Sequence, residues 1–409
     1  MENVRQTVHW KSYAVISLVA MAVVIALSIY LQLPVLTAVP IGFLFGFFLE
    51  RSDLCGASAF SEVVVMRDWR KFFGIWIVII VSMCAFALGN GLGLISLNPK
   101  PLYWANTLVG GTIFGVGIVL AGGCISGVLF KAGQGNINSM AGLVAIPVGI
   151  AAVLYGPLRG PNQLLHTKEV RTLNGEVPTL STVTGIPYWL LALIFAAVTL
   201  LLIFFFSRRR PTSARSNPKP KTTLSRPWKP WQSGVAIGLL SLFAYMSSAQ
   251  SGRNYPFGTA EGVVGLAVMV VDTPGEIVWQ KPQAPASNSV VIKSPAPTTQ
   301  DPPKRVVLWM VILVIMLLAG SHLSARLRGS FRLVAKPPDE MIVAFLGGMI
   351  VGVGATIGAG CVVGHIMSGV AMLSVSSILF FGTVVLANWV TTYLYLMGGQ
   401  SIKQRVVKE

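Results

Sequence analysis

Residues 110–127 read GGTIFGVGIVLAGGCISG, and residues 347–364 read GGMIVGVGATIGAGCVVG. The two stretches align without a gap at an offset of 237 residues. Identical positions include Gly110/Gly347, Gly111/Gly348, Gly115/Gly352, Gly117/Gly354, Gly123/Gly360, Cys124/Cys361 and Gly127/Gly364, together with Val116/Val353. Each copy drives a glycine-lined apolar helix into a Gly-Cys break. Helices broken at matching places in two halves of a chain mark a transporter built from internal repeats, with a thiol at each break.

The rest of the chain agrees with that reading. It has 409 residues, of which 54% are hydrophobic and only 11% charged, against about 25% charged in a soluble domain. Apolar runs of about 20 residues span a bilayer. Ten occur here, at 13–31, 35–49, 72–97, 102–121, 137–155, 186–206, 231–250, 306–325, 341–358 and 375–397. Residues 13–31 are long for a cleavable signal, and no small-residue cleavage site follows them. The expected fold is therefore an all-α polytopic membrane protein. Four cysteines (Cys55, Cys84, Cys124, Cys361) lie in or beside apolar segments, which favours reduced thiols over a disulfide framework. The net charge of +17 does not indicate nucleic acid. Its densest run, SRRRPTSARSNPKPKTTLSRPWKP (207–230), is Pro-rich, unpatterned and flanked by apolar spans. It reads as a basic cytoplasmic linker with some contact to anionic membrane lipid.

With the N-terminus inside and about ten spans, 22 of the 31 Lys and Arg residues fall in cytoplasmic segments, which satisfies the positive-inside bias. The span before Cys124 then runs outside to inside and the span before Cys361 runs the other way. The halves are inverted, and both termini are cytoplasmic. The expected organisation is an N-terminal segment (1–34), a first repeat half (35–206), the linker and a second half (231–409) with an extracytoplasmic loop at 272–305. Each half has an earlier break as well, in GFLFGFFLERSDLCGASAF (42–60) and GVAIGLLSLFAYMSSAQSGRNYPFGTAEG (234–262). The apolar stretches after these breaks are too short to span and read as re-entrant half-helices, tolerable at depth only where protein or a watery cavity satisfies the backbone.

The candidate residues cluster at the breaks. Half-helix N-termini carry unpaired N–H groups and partial positive charge, so they attract anions. Ser126 is a hydroxyl donor beside Cys124, and Gly123 and Gly360 allow close backbone approach to a ligand. Cys124 and Cys361 are repeat mates, and Cys55 stands at the first-half break. Cys84 fits a small buried hydrophobe, or a position on the path at membrane depth. His365 follows Cys361 by four residues, where it would tune the thiol, bind an anion or simply pack. Arg253 at the second-half break has only Glu261 as a nearby acid and is a candidate anion contact; Arg51 with Asp53 or Glu50 reads as a structural pair. The remaining glycines have the small-xxx-small spacing of close helix packing. No nucleotide-binding, metalloprotease or serine-hydrolase motif is present, so no catalytic residue, metal or cofactor is expected.

LERSDLCGASAF (49–60), GGTIFGVGIVLAGGCISG (110–127), YGPLRG (155–160), TGIPYWL (184–190), SGRNYPFG (251–258) and GAGCVVG (358–364) together resemble the YeeE/YedE sulphur-transport membrane family, which includes thiosulfate permeases. The resemblance implies a bacterial inner-membrane importer of a small sulfur-containing anion. Cys55, Cys124 and Cys361 would line a narrow central path, and a small cytoplasmic sulfur-carrier protein is an implied partner. The second-half break carries no cysteine to match Cys55. Thiosulfate is the first substrate expectation, with sulfite, a persulfide or a selenium compound as alternatives. A membrane persulfide relay and a non-transporting scaffold are rival readings. The relay predicts a covalent mass shift on Cys124 or Cys361 after substrate exposure.

Overall fold

The computed structural model describes residues 10–166, 169–172, 175–208, 227–272, 276–278, 305–333 and 337–398. The apolar runs fold as helices: α1 (Trp10–Tyr30), α2 (Ala38–Ser52), α3 (Gly56–Val65), α4 (Arg70–Gly91), α5 (Trp104–Leu120), α6 (Ile125–Gly133), α7 (Ile137–Leu154), α8 (Arg159–Leu165), α9 (Leu180–Thr184), α10 (Tyr188–Arg208), α11 (Pro230–Gln250) and α12 (Thr259–Val271). Two three-residue parallel strands, β1 (Glu276–Val278) and β2 (Arg305–Val307), come next. Helices α13 (Leu308–Arg328), α14 (Pro338–Ile357) and α15 (Val375–Thr392) complete the set, with a π-helical turn, Val362–Gly369, between the last two. Among the described residues, seven helical stretches are long and apolar enough to cross a membrane: Pro34–Val65, Arg70–Gly91, Trp104–Gly133, Ile137–Leu154, Leu308–Arg328, Pro338–Ile357 and Val375–Tyr395. The chain is an all-α polytopic membrane protein. The runs 13–31, 186–206 and 231–250 are also helical, as α1, α10 and α11.

The inversion is visible in one interface. Helices α5 and α14 contain the two copies of the repeated phrase and pack against each other. A Cβ on Gly110 would strike the backbone at Gly358, one on Gly354 the Phe114 nitrogen, one on Gly117 the Val351 nitrogen, and one on Gly347 the Ala121 nitrogen. As residue numbers rise along α5 they fall along α14, so the helices are antiparallel. The 237-residue offset converts the contact 110–358 into 347–121 and the contact 114–354 into 351–117, as a two-fold axis between the copies requires. Other pairings obey the same exchange. Helix α2 packs on α13 while its counterpart α11 packs on α4, and α7 packs on α14 while α15 packs on α5. Glycine makes these approaches possible, since a lipid-embedded helix pair gains from van der Waals contact rather than from expelling water.

The connecting segments collect at two ends. At one end, Asn98 donates to the Asn254 carbonyl (3.1 Å), Ser374 Oγ donates to the Lys100 carbonyl (3.0 Å), and Leu180 N–H donates to Leu373 (2.9 Å). This joins the loops 92–103 and 156–185 to the second-half breaks. At the other end, Arg332 N–H donates to Gln134 (3.2 Å), Trp228 N–H donates to Arg51 (3.0 Å), and Arg328 pairs with Glu50 (3.0 Å). Segments expected on the same side of the membrane thus lie together.

Local details depart from expectation. The run 72–97 stops being helical at Gly91, because Gly93 takes a left-handed φ of +71° and turns the chain away. Asp53 pairs with Lys71 (2.6 Å) and Glu50 with Arg328 (3.0 Å), partners that the sequence did not suggest. Most of the linker 207–230 and of the loop 272–305 lies outside the described residues; what is described of the loop is β1, Asp272 and Arg305.

Candidate functional site

Four half-helix N-termini converge on the core between the halves. Cys55 is the N-cap of α3, Cys124 of α6, Gly258 of α12 and Cys361 of the π-helical turn. Cys55, Cys124 and Cys361 are all buried, at no more than 1% exposure. Each cysteine is in extended backbone, so the chain enters the break, turns at the cysteine and restarts as a half-helix with its first N–H groups directed at the break.

The first-half thiols meet. Cys55 Sγ lies 4.0 Å from Cys124 Sγ, and Cys124 Sγ lies 3.4 Å from Ser126 Oγ. Gly127 makes room for them, because a Cβ there would collide with Cys55 Sγ. Gly56 likewise admits the Val362 side chain from the second half. In the second half, Cys361 Sγ contacts Thr259 Oγ1 at 3.3 Å. Thr259 opens α12, the counterpart of α3, one position after the N-cap Gly258, and contacts Cys361 as Cys55 contacts Cys124. The missing thiol mate is thus a hydroxyl. No reading of the sequence singled out Thr259, because it does not share the 237-residue offset and is not a cysteine.

Two expected anion contacts, His365 and Arg253, have protein partners. The His365 ring is buried and stacks on Phe380 at 4.3 Å. Its Nε2 donates to the Gly358 carbonyl (2.9 Å), and its Nδ1 pairs with Ser377 Oγ (3.1 Å). Both nitrogens are occupied, so His365 fastens the turn to α14 and α15. Arg253 donates from Nε to Glu261 (2.5 Å) and from NH1 to the carbonyls of Tyr255 (2.8 Å) and Pro256 (2.9 Å). It staples the 251–258 break to α12. Cys84 is half-buried in α4, and among the described residues no hydrogen bond joins it to the other three thiols.

A cavity of about 360 Å³ lies beside the second-half break. Its wall includes Glu261, Arg305, Met310 and Thr356, together with Ala359 and Gly360, the two residues before Cys361 in the chain. Gly123 and Gly360 are both buried, and each follows an exposed residue in the left-handed region, Gly122 at φ +65° and Ala359 at φ +53°.

Among the described residues the site combines paired helix breaks with three buried thiols. The family described as sulphur transport matches residues 51–390. The chain belongs to that family. It is similar to the thiosulfate transporter TsuA of Spirochaeta thermophila, 27% identical over 368 residues that cover 88% of this chain and 98% of the relative. TsuA of Escherichia coli is 26% identical over 367 residues, covering 88% and 94%. The probable transporter YedE of Escherichia coli is 34% identical over 97 residues, or 23% of each chain. The protein is a multi-pass membrane transporter of the sulphur-transport family, and not an enzyme.

Proposed function

We propose that the protein imports thiosulfate along a path from Cys361 and Thr259 to Cys124 and Cys55, across the bacterial inner membrane with both termini cytoplasmic. The observation that supports this most directly is the pair of Gly-Cys breaks on antiparallel repeat mates, each with a buried sulfur beside a half-helix N-terminus. Two relatives along nearly their whole length are thiosulfate transporters. A thiol is a weak, polarizable donor. It suits a soft terminal sulfur and holds it weakly enough for release, as passage requires. Half-helix dipoles offset the anion's charge at depth. The domain division read from the sequence fits this account, with the linker 207–230 and a small sulfur-carrier protein at the cytoplasmic end.

Thiosulfate is a dianion, and moving each charge against the membrane potential costs about 2.3 kcal/mol per 100 mV. Cytoplasmic trapping by a carrier protein offsets that cost without an acid relay in the spans. The test is uptake of radiolabelled thiosulfate by cells lacking their own sulfate and thiosulfate importers, with unlabelled sulfite, sulfate and selenite as competitors. Uptake by the wild-type protein that unlabelled thiosulfate displaces best is expected. No uptake, with protein present in the membrane, would move the substrate to another sulfur or selenium species. A covalent mass shift on Cys124 or Cys361 after exposure would favour the persulfide relay.

A further inference from the structure

The exposed left-handed residues before the two Gly-Cys breaks are exact repeat mates, since Gly122 and Ala359 are 237 positions apart. Each carbonyl accepts a hydrogen bond from a lysine. Lys131 Nζ donates to Gly122 O at 2.6 Å, and Lys100 Nζ donates to Ala359 O. The lysines themselves are not mates: Lys131 aligns with Ser368, and Lys100 lies in the loop before α5. Two unrelated positions therefore deliver an ammonium to the same point of a two-fold arrangement. Repeat ancestry explains the carbonyls but not the lysines.

The surroundings fit a reception role. Lys131 is the one charged residue of α6, and its side chain runs back along the half-helix toward its N-terminus. Lys100 has its ammonium 5.4 Å from the centre of the Tyr255 ring and 3.8 Å from Glu261 Oε1, and its side chain is 13% exposed. A Cβ on Gly360 would stand 2.8 Å from Lys100 Nζ, and Gly360 lines the cavity. An ammonium is a compact charge with three donors on a flexible stem, so it can exchange a carbonyl for an arriving anion and return.

We propose that Lys100 and Lys131 are the anion-receiving cations at the two ends of the thiol path, Lys100 at the entrance and Lys131 at the exit. The inference rests on the import reading above. It assigns two stations that flank the sulfur contacts and meet the anion before and after its passage.

The test is the concentration dependence of thiosulfate uptake by Lys100→Gln, Lys131→Gln and the corresponding arginine variants of the full chain, with membrane levels measured. Glutamine keeps a donor for the carbonyl and removes the charge, which separates reception from simple capping. Lys100→Gln is expected to raise KM about tenfold, as loss of one charge-assisted hydrogen bond does, and to leave the maximal rate largely intact. Lys131→Gln is expected to lower the maximal rate, because the exit station is lost. Arginine at each site should restore most of the loss. Glutamine variants that match the wild type overturn the proposal, as does an arginine variant as impaired as glutamine. Should the glutamine variants not reach the membrane, the wild-type KM is measured at low and high ionic strength. A rise with salt is expected, and a flat KM overturns the proposal. A wild-type protein that carries no thiosulfate overturns the import reading and this inference together, whereas wild-type uptake with silent lysine variants overturns this inference alone.

Discussion

At the scale of single residues, the site has two unequal halves: thiol against thiol at Cys55 and Cys124, hydroxyl against thiol at Thr259 and Cys361. If Thr259 is the functional mate of Cys55, Thr259→Val should lower thiosulfate uptake several-fold while leaving the protein in the membrane, since valine keeps the shape and removes the polar contact. Thr259→Cys should retain uptake. Measured initial rates check both, and valine behaving as the wild type would remove Thr259 from the path. Cys124 and Cys361 stand out in the sequence because a repeat offset and a glycine neighbour mark them. Partners were not legible. His365 and Arg253 were picked out as groups, but what occupies them is a carbonyl, a serine and an acid brought together by folding. Lys100 was invisible for the same reason, its acceptor being 259 residues away.

At the scale of elements, the α5–α14 seam sets the distance between the breaks. A side chain at Gly354 would meet the backbone of Phe114, which cannot move aside without parting the helices. Gly354→Val is expected to destabilise the protein by about 2 kcal/mol, in the range of overpacked cores. Gly382, in α15, faces open space, and Gly382→Ala should be neutral or slightly stabilising because alanine is the better helix former. Thermal midpoints in detergent would compare the two, and equal effects would contradict the seam. Glycine spacing and apolar run length made all ten helical runs and both re-entrant stretches readable. The π-helical form of 362–369 was not readable, because its sequence has the same small, apolar character as α6. Strands β1 and β2 are too short to show any periodicity.

At the scale of the whole molecule, a buried acid ties one end together. Glu50 is fully buried and pairs with Arg328 (3.0 Å), accepts from Ser324 (2.5 Å) and accepts from Gln134 (3.0 Å). It joins α2, α13 and the end of α6. Glu50→Ala leaves Arg328 without its carboxylate, and a loss of about 3 kcal/mol or more is expected, read as a lower thermal midpoint and a lower membrane level. If passage follows the anion's own gradient, transport survives a protonophore in proteoliposomes; uptake abolished by the protonophore would point to proton coupling instead. The positions of lysine and arginine sort the connecting segments into two sets, and the contacts between loops group the segments in the same two sets, without saying which faces the cytoplasm.

The claim on which the rest depends is that three of the four cysteines form the path. Flux of labelled thiosulfate into proteoliposomes containing purified protein tests it, with each cysteine replaced in turn by alanine. Cys55→Ala, Cys124→Ala and Cys361→Ala are expected to lose most of the flux, and Cys84→Ala to keep it. Wild-type flux in the first three variants, or a loss confined to Cys84→Ala, would contradict the account.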